Sequence, residues 1–538
     1  MLPIALLAVM KSGHAYVPLD IGQPFERLKQ IAVAAQIDGL LCLDDRIAAI
    51  APYAFAVRPD RVDLGGRVLR QTLPKVSSDA TAYVLFTSGS TGVPKGVEIG
   101  HRALTNLLSD VVSRLKIGAS DVVMASSAVT FDVAATEIYA PLIAGGRTVL
   151  CETDEVRTGV ELVTHARRAG ATVLQATPTL WSMLLEAGFV SWPGLRMITA
   201  GEAISRDTAD RLIAGGGRLW NLYGPTETTV YSAGGEMHTS EAGVTIGRPI
   251  SNTQLYVLDA RGQLAAPGVV GQLFIGGDGL AKGYFDNADL TAEAFRAISL
   301  AGRAPQRLYR TGDLARLLPR GEIELHGRVD HQVKLRGFRI ELGEIENVLR
   351  KAPNVGDGAV VLRHDLGADP ALIGYVVGKA KPADLQSFLA ARLPDYMVPT
   401  RWVELDALPL SPNGKIARNA LPRPAAARLV EAAAVRPRTA LETRIAAIWA
   451  EIIGLPDVGI DDPLFALGAD SLQVFRIAAR LDQEGIAISA RDLMRNPTVA
   501  ALAKTLEDPA EPSAAAAPRR APSLADFRRG ARRRSLSP

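Results

Sequence analysis

Cysteine is almost missing from this chain of 538 residues: only Cys42 and Cys151 occur, in no Cys-x-x-Cys or metal-ligand spacing. That excludes a disulfide framework and a cysteine zinc site, and it fits a reducing cytoplasm. The seven histidines are scattered likewise. No run approaches the roughly 18 apolar residues of a membrane helix. Leu2–Met10 is apolar, but no basic segment precedes it and KSGHAYVPLD after it offers no small-residue cleavage site, so it reads as a buried helix rather than a leader. Excess charge is also lacking. Lys+Arg minus Asp+Glu is 60 − 57 = +3, and from Arg519 onward seven Arg and one Asp contribute +6, which leaves the body at −3 with no basic footprint for nucleic acid. With 48% hydrophobic and 22% charged residues the composition is that of a globular enzyme, long enough for three or four domains of roughly 150 residues.

What is present is punctuated. From Tyr16 to about Leu325, short apolar runs (TAYVLF, VVMASS, ATVLQAT, LRMITA, QLYVLDA) alternate with helical patterns and glycine-rich turns, which predicts layered α/β structure over 1–329. Gly327–Arg350 reads as strand, glycine turn, strand and charged helix, opening a smaller α+β unit over 330–425. An Ala/Pro-rich linker follows over 426–436. Residues 437–508 read as an all-α bundle of four helices. Thr439–Glu442 is a capping box, and Leu441, Ile445, Ile448, Trp449 and Ile452 fall on one helical face. The segment 509–538 is Ala, Pro, Ser and Arg, too poor in apolar area to fold, and is read as a solvated, disordered tail.

The strongest local signal is LFTSGSTGVPKG, Leu85–Gly96: a strand entering a loop whose glycines let backbone N–H groups form an anion nest. Hydroxyls add donors, and Lys95 adds charge. No Gly-Lys-Ser/Thr triplet closes it, so it is not a Walker loop, and alone it reads equally well as a polar hairpin. Further motifs follow in order: FDVAATEIYAPLIAGG from Phe131, NLYGPTET from Asn221, GQLFIGGDGLAKGYF from Gly271, YRTGDL from Tyr309, GRVDHQVKLRGFRIELGEIE from Gly327, and LPLSPNGK ending at Lys415. Together with KSGHAYVPLD (Lys11–Asp20) they resemble the amino-acid-activating adenylation domains of nonribosomal peptide synthetases, in the adenylate-forming superfamily. LFALGADSLQ, Leu464–Gln473, resembles the thiolation motif of a peptidyl carrier domain. The chain opens just before KSGHAYVPLD, so relative to that family it is read as truncated at the N-terminus.

The resemblance implies an adenylate-forming α/β large subdomain, an α+β C-terminal subdomain and a four-helix carrier. It implies ATP-dependent activation of an amino acid as its adenylate, with transfer to a thiol. Thr87, Ser88, Gly89, Ser90, Thr91, Gly92 and Lys95 would hold the pyrophosphate end of ATP, Glu227 would ligate Mg2+, and Thr226 would lie near the α-phosphate. Tyr223 would stack on adenine, with Gly201, Asn221 and Gly224 also in the nucleotide site. Asp313 would accept the ribose hydroxyls, assisted by Arg328. Lys415 would bridge the substrate carboxylate and phosphate. Asp132, which could also be a plain helix N-cap, matches the carboxylate that pairs with the substrate ammonium. Phe131, Val133, Thr136, Gln175, Ile198, Ala200, Leu222, Val230 and Tyr231 complete the side-chain pocket. None is charged, and Gln175, Leu222 and Tyr231 crowd it, which implies a neutral, small amino acid of the glycine or alanine type. Asp330 matches the hinge, and Lys334 and Gly337 match the loop that lines the site in the thiol-transfer state. Ser471 matches the attachment point of 4′-phosphopantetheine, with Asp470 as the expected N-cap and Leu472, Phe475 and Ala479 on one face of the following helix; Ala469 stands where Gly is more usual.

Implied partners are a phosphopantetheinyl transferase and other synthetase modules, such as a condensation domain acting in trans, with neither nucleic acid nor membrane. Two other classes compete: an inactive remnant serving only as a carrier through Ser471, and a coenzyme A ligase, which Asp132 and the carrier motif oppose.

Overall fold

The computed structural model describes residues 1–61, 73–89, 94–152, 156, 159–239, 243–330, 332–366, 370–410, 416–424, 435–464, 467, 469, 471–486, 488 and 490–507. Ser90, Thr91, Gly92, Lys415, Asp470, most of the linker and the tail lie outside the described residues. Two compact units make up the chain: Met1–Leu429 with Asp470–Arg476, and Val430–Ala469 with Ile477–Pro538.

In the first unit the apolar runs become strands. Arg147–Leu150, Val122–Ala125, Val173–Ala176, Arg196–Thr199 and Arg218–Tyr223 lie parallel in that order, and Ala233–Met237 and Arg248–Pro249 extend the sheet antiparallel. Because side chains alternate along a strand, each run feeds two cores. Val123, Ala125, Val173, Ile198, Trp220 and Leu222 pack with the helices His101–Leu115 and Ala134–Ile143. Met124, Leu174, Ala176, Met197 and Leu219 pack on the opposite face with Val160–Ala169, Pro178–Glu186 and Arg206–Ile213. Burial on both faces is why the four strands inside the edge strand Arg147–Leu150, which is partly exposed, read as short largely apolar runs.

Two antiparallel sheets flank this layer. Thr81–Thr87, Lys95–Gly100 and Gly283–Tyr284 form one, with Thr87 opposite Lys95, so the glycine-rich loop does join the strands of a hairpin. The other is built on the long strand Gln306–Leu317, which pairs Asp313 with Arg328 of Ile323–Arg328. The expected strand, turn, strand and helix then appear as Gln332–Leu335, Phe338–Glu341 and Leu342–Leu349. From Leu335 a separate core begins, in which Ile340, Leu342, Ile345 and Leu349 pack with Leu372, Leu385 and Met397. This C-terminal lobe carries the sheet Val355–Arg363, Ala371–Gly378 and Arg401–Leu405.

The expected N-terminal helix forms as Leu2–Lys11, but it is buried on one face only: Leu6 and Met10 are buried, whereas Leu2 and Ile4 are exposed. Asp132 does not cap a helix. The helix begins at Ala134, its cap position is Val133, and no side chain caps it.

In the second unit the capping box is realised: Glu442 N–H donates to Thr439 Oγ1 at 3.1 Å, and Thr439 N–H donates to Glu442 Oε2 at 3.2 Å. The helix Ala440–Ile453 buries Ile445, Ala446, Ile448, Trp449 and Ile453, one position on from the expected Ile452. Helix Ser471–Gln483, whose residues to Arg476 fall in the first unit and the rest in the second, starts at the expected serine, and its buried stripe is Val474, Ile477, Ala478 and Leu481, with Ala479 half-buried. Helices Ala490–Arg495 and Val499–Glu507 complete the four. Among the described residues no helix is long and apolar enough to cross a membrane.

Candidate active site

A cavity opens where the C-terminal edges of the parallel strands meet the hairpin Gln332–Glu341. Its walls include Phe131, Asp132, Val133, Ala200, Gly201, Tyr223, Gly224, Thr226, Val230, Tyr231, Asp313, Arg328, Lys334 and Gly337, fourteen of the residues expected from sequence. The adjoining cavity is lined by Thr87 and Ser88 of the glycine-rich loop together with Thr226 and Phe131. Residues separated by up to 250 positions thus converge on one cleft, as strand ends in an open α/β sheet do.

Glu227 lines neither cavity; it is fully buried behind them, next to Thr226 and paired with Arg339, both of which line the two cavities. One carboxylate oxygen accepts from Tyr284 Oη at 2.7 Å and lies 3.6 Å from Lys95 Nζ; the other accepts from Arg339 Nη1 at 2.6 Å. Burial opposes its charge, but Arg339 and then Lys95 outweigh burial and hold the carboxyl at about 2. Burial in turn lowers the Lys95 ammonium, reinforced by Arg339 and opposed by Glu227. A lone ionised carboxylate is the donor set for Mg2+ held mainly by substrate phosphates and water rather than by a protein cage. No group of three or more His, Cys, Asp or Glu able to hold a metal occurs among the described residues. Thr87 Oγ1 is buried with no hydrogen-bond partner among them, as a donor reserved for a phosphate oxygen would be.

The group expected to meet the ribose is equally organised. Asp313 accepts from Tyr223 Oη at 2.5 Å on one oxygen and from Arg328 Nη1 at 2.7 Å on the other. Arg328 also binds Asp330 through two hydrogen bonds of 2.7 and 2.8 Å. Burial opposes the Asp330 charge, but this pairing carries its carboxyl below the usual range. Lys334 Nζ sits 5.5 Å above the Tyr223 ring, a cation–π contact on the face expected to meet adenine. Gly312 makes the arrangement possible. Its φ is +80°, and a Cβ there would lie 2.6 Å from Arg328 Nη2 and 2.7 Å from Asp330 Oδ2. Gly312→Ala is therefore expected to cost about 1–3 kcal/mol in backbone strain and to raise KM for ATP. Thermal unfolding and ATP titration check this; an unchanged KM contradicts it.

On the substrate side, Asp132 is buried. Burial lifts its carboxyl to about 6, against the Thr226 hydroxyl and the Val133 N–H, which favour its charge. Gln175 Nε2 donates to Tyr231 Oη at 2.5 Å. Gln175, Leu222, Ile198 and Thr136 are buried, but unlike Tyr231 they are not among the residues that line the cavity. Thr136 turns its hydroxyl to Val133 O at 2.8 Å. Asn221 does not face the cavity: its amide donates to Thr245 O at 2.7 Å.

Several contributors escaped the sequence reading. Glu202 accepts from Gly337 N–H at 2.8 Å and from the Thr179 hydroxyl at 2.7 Å, anchoring the loop at the cavity. Tyr284 and Arg339 lie inside the GYF and RGFRIE motifs, yet nothing local marks them as partners of Glu227. Glu137, behind the pocket, accepts from Ser127 N–H and Oγ at 2.9 and 2.8 Å; burial pushes it up to about 8, so it presents no full charge to the pocket near neutral pH.

Comparison with known proteins accords with this geometry. Residues 1–285 match the AMP-binding enzyme family, 344–415 the AMP-binding enzyme C-terminal domain, and 443–506 the phosphopantetheine attachment site. The chain belongs to the AMP-binding enzymes. More particularly, it joins an AMP-binding enzyme domain to a phosphopantetheine carrier domain, and its relatives are nonribosomal peptide synthetase modules. It is 41% identical over 514 residues to the dimodular nonribosomal peptide synthase of Bacillus subtilis (strain 168), covering 94% of this chain and 21% of that protein. To bacitracin synthase 3 of Bacillus licheniformis it is 39% identical over 511 residues, covering 93% and 8%. The chain thus spans about a fifth or less of the length of these curated relatives. Among solved structures, a holo nonribosomal peptide synthetase protein of adenylation and PCP domains, bound to a vinylsulfonamide inhibitor, superposes with TM-score 0.78 at 28% identity, covering 94% of this chain and 85% of that one. A four-domain nonribosomal peptide synthetase bound to AMP and glycine superposes with TM-score 0.58 at 37% identity, covering 94% and 38%.

Proposed function

We propose that this chain activates a small, neutral amino acid with ATP and loads it onto its own carrier domain. The observation that carries the reading is a buried carboxylate in the cavity wall, Asp132 for an ammonium, with the buried Lys95–Glu227 pair for a magnesium-bound phosphate next to Thr226 of the same wall. In the first half-reaction a substrate carboxylate oxygen attacks the α-phosphorus of ATP and pyrophosphate leaves. In the second, a thiol attacks the acyl carbon, AMP leaves with the bonding pair, and the thiol proton passes to solvent. Neither half needs a protein nucleophile in the cleft, so the residues act by binding, orienting and neutralising charge.

Ser88, Gly89 and Lys95 hold the pyrophosphate end, joined by Thr87 and by Ser90, Thr91 and Gly92 of the same loop. Glu227 holds Mg2+, which supplies charge neutralisation on the phosphates when bound. Asp313 and Arg328 orient the ribose and Tyr223 the base. Lys415 is assigned the bridge between carboxylate and phosphate by its motif. The Ser471 phosphopantetheine supplies the acceptor thiol. The division at Asp330 between large and small subdomains is part of this proposal, supported by the separate core that begins at Leu335. So are cytoplasmic location, a phosphopantetheinyl transferase as partner, and further synthetase modules in trans.

Tyr231 in the cavity wall, held from behind by Gln175, favours a small side chain such as that of glycine or alanine, and the relative solved with glycine accords with that size. Amino-acid-dependent exchange of pyrophosphate into ATP across a panel of amino acids tests the reading; no exchange with any amino acid in folded protein would leave only the carrier function. The same assay checks the ammonium contact. A proton on Asp132 removes the countercharge, so KM for the amino acid is expected to rise about tenfold per pH unit below the Asp132 pKa, which burial sets at about 6. KM for ATP is the control, and a flat amino-acid profile from pH 7 to 5, if measured on folded protein, removes Asp132 from that role.

A further inference from the structure

One motif of the sequence, KSGHAYVPLD, takes no part in the roles proposed above, and the fold brings its tyrosine close behind the cleft. Tyr16 N–H donates to Ala82 O at 3.2 Å and its carbonyl accepts from Val84 N–H at 3.0 Å, which sets Tyr16 beside Tyr83 of the strand Thr81–Thr87. The two rings stack, with centroids 5.3 Å apart and planes 25° from parallel. Tyr139 joins them from the helix Ala134–Ile143. These three phenols and Asp132 line a small second cavity whose other walls are apolar, Leu85, Val129 and Ile138 among them. Asp132 also lines the cleft, so it stands in the partition between the two spaces. Tyr83 is 1% exposed, and its Oη is buried with no hydrogen-bond partner among the described residues. Burial, and after it the Asp132 charge, push this phenol well above its usual range, so it stays a donor. A buried hydroxyl left without a partner is costly and calls for an explanation.

We propose that this second cavity binds one water molecule, which accepts from Tyr83 Oη and donates to the Asp132 carboxylate from the side away from the substrate, making Tyr83 a positioning residue for the ammonium-binding group. The inference rests on the role proposed above for Asp132. Size and chemistry both fit. The room for the centre of a water-sized sphere is about 10 Å³, at the lower end of the roughly 10–15 Å³ that one buried water needs. Such a water makes about three hydrogen bonds, and the wall offers the phenols of Tyr83, Tyr139 and Tyr16 besides the carboxylate. An ionised carboxylate has about four acceptor sites. Asp132 spends two on the Thr226 hydroxyl and the Val133 N–H, which leaves capacity for an ammonium in front and a water behind. Among the other groups around it, Glu227 opposes its charge, Arg339 favours it, and the Tyr83 and Tyr231 phenols both sense it. A donor behind the carboxylate fixes its plane, so that the oxygen meant for the ammonium does not turn away. Tyr83 itself touches neither substrate nor reacting atoms.

The test uses the full holo chain with an amino acid that supports pyrophosphate exchange. Tyr83→Phe removes only the hydroxyl and keeps the ring that stacks on Tyr16. The expected result is a KM for the amino acid raised about three- to tenfold, the scale of one hydrogen bond, with kcat of exchange and KM for ATP within about twofold of wild type. A role in packing alone would move both KM values together or neither. A crystal structure of the wild-type chain, at a resolution that shows ordered water, is expected to place a water within about 3.2 Å of both Tyr83 Oη and an Asp132 carboxylate oxygen. A dry cavity overturns the inference, as does an amino-acid KM in folded Tyr83→Phe that is unchanged or raised no more than that for ATP. Should the variant fail to fold, the wild-type crystal structure decides. Lack of exchange by the wild-type chain overturns the functional reading and the positioning role with it, whereas intact exchange with a dry cavity or an unmoved amino-acid KM overturns the inference alone.

Discussion

Glu227→Gln is expected to reduce amino-acid-dependent pyrophosphate exchange by about a hundred- to a thousandfold, the range seen when one preorganised electrostatic contact to a developing charge is lost. The side chain keeps its size and its hydrogen bond to Tyr284, but its charge disappears from a site with no exposure to water. Two effects then add. In the proposed role, a magnesium ion on the phosphates would lose the one protein carboxylate assigned to it. Lys95 and Arg339, now 3.6 and 2.6 Å from that carboxylate, become buried cations without an anion between them. Removing one partner of a buried ion pair costs about 3–5 kcal/mol, so thermal unfolding should shift downward together with the loss of exchange. Raising Mg2+ should not restore wild-type activity. A variant that melts with the wild type and exchanges at its rate would dismiss Glu227 from the site.

Ser471→Ala is expected to have the largest effect on the other half of the reaction: complete loss of arm attachment and of acyl loading. The hydroxyl is the only atom of Ser471 that a transferase can phosphopantetheinylate, and alanine has no substitute for it. Helix formation should survive, because residue 471 opens the helix Ser471–Gln483, whose burial rests on Val474, Ile477, Ala478 and Leu481. Mass spectrometry after incubation with coenzyme A and a transferase, followed by loading with ATP and amino acid, reads both steps. If the proposed arm and cleft work within one chain, loading in trans of a separately supplied holo carrier is expected to be slower. A modified Ser471→Ala chain would place the attachment point elsewhere.

Much of the molecule was legible because its information is local. The loop between Thr81–Thr87 and Lys95–Gly100, the Thr439 capping box and the turn at Gly337 follow from residue types at short spacing, and their spacing survives unchanged into three dimensions. The buried strands were legible for a similar reason: a strand covered on both faces must be apolar throughout. Helix faces were less secure. Ile453 rather than Ile452 is buried, and Leu2 and Ile4 stay exposed, since a 3.6-residue period leaves more than one apolar stripe available and packing partners choose between them.

The ordered motifs were enough to determine the family, the succession of an α/β unit, a small α+β unit and a carrier, and most of the residues that gather at the cleft, because catalytic positions are read out as residue identity in sequence order. Pairing was decided only by the fold. That Arg339 meets Glu227, that Glu344 meets both Arg27 and the Gly89 amide, and that Asn221 turns away to Thr245 depend on contacts across 24 to 317 positions. Such contacts are selected by burial and charge once the two lobes pack, and no local pattern encodes which buried cation will face which buried anion.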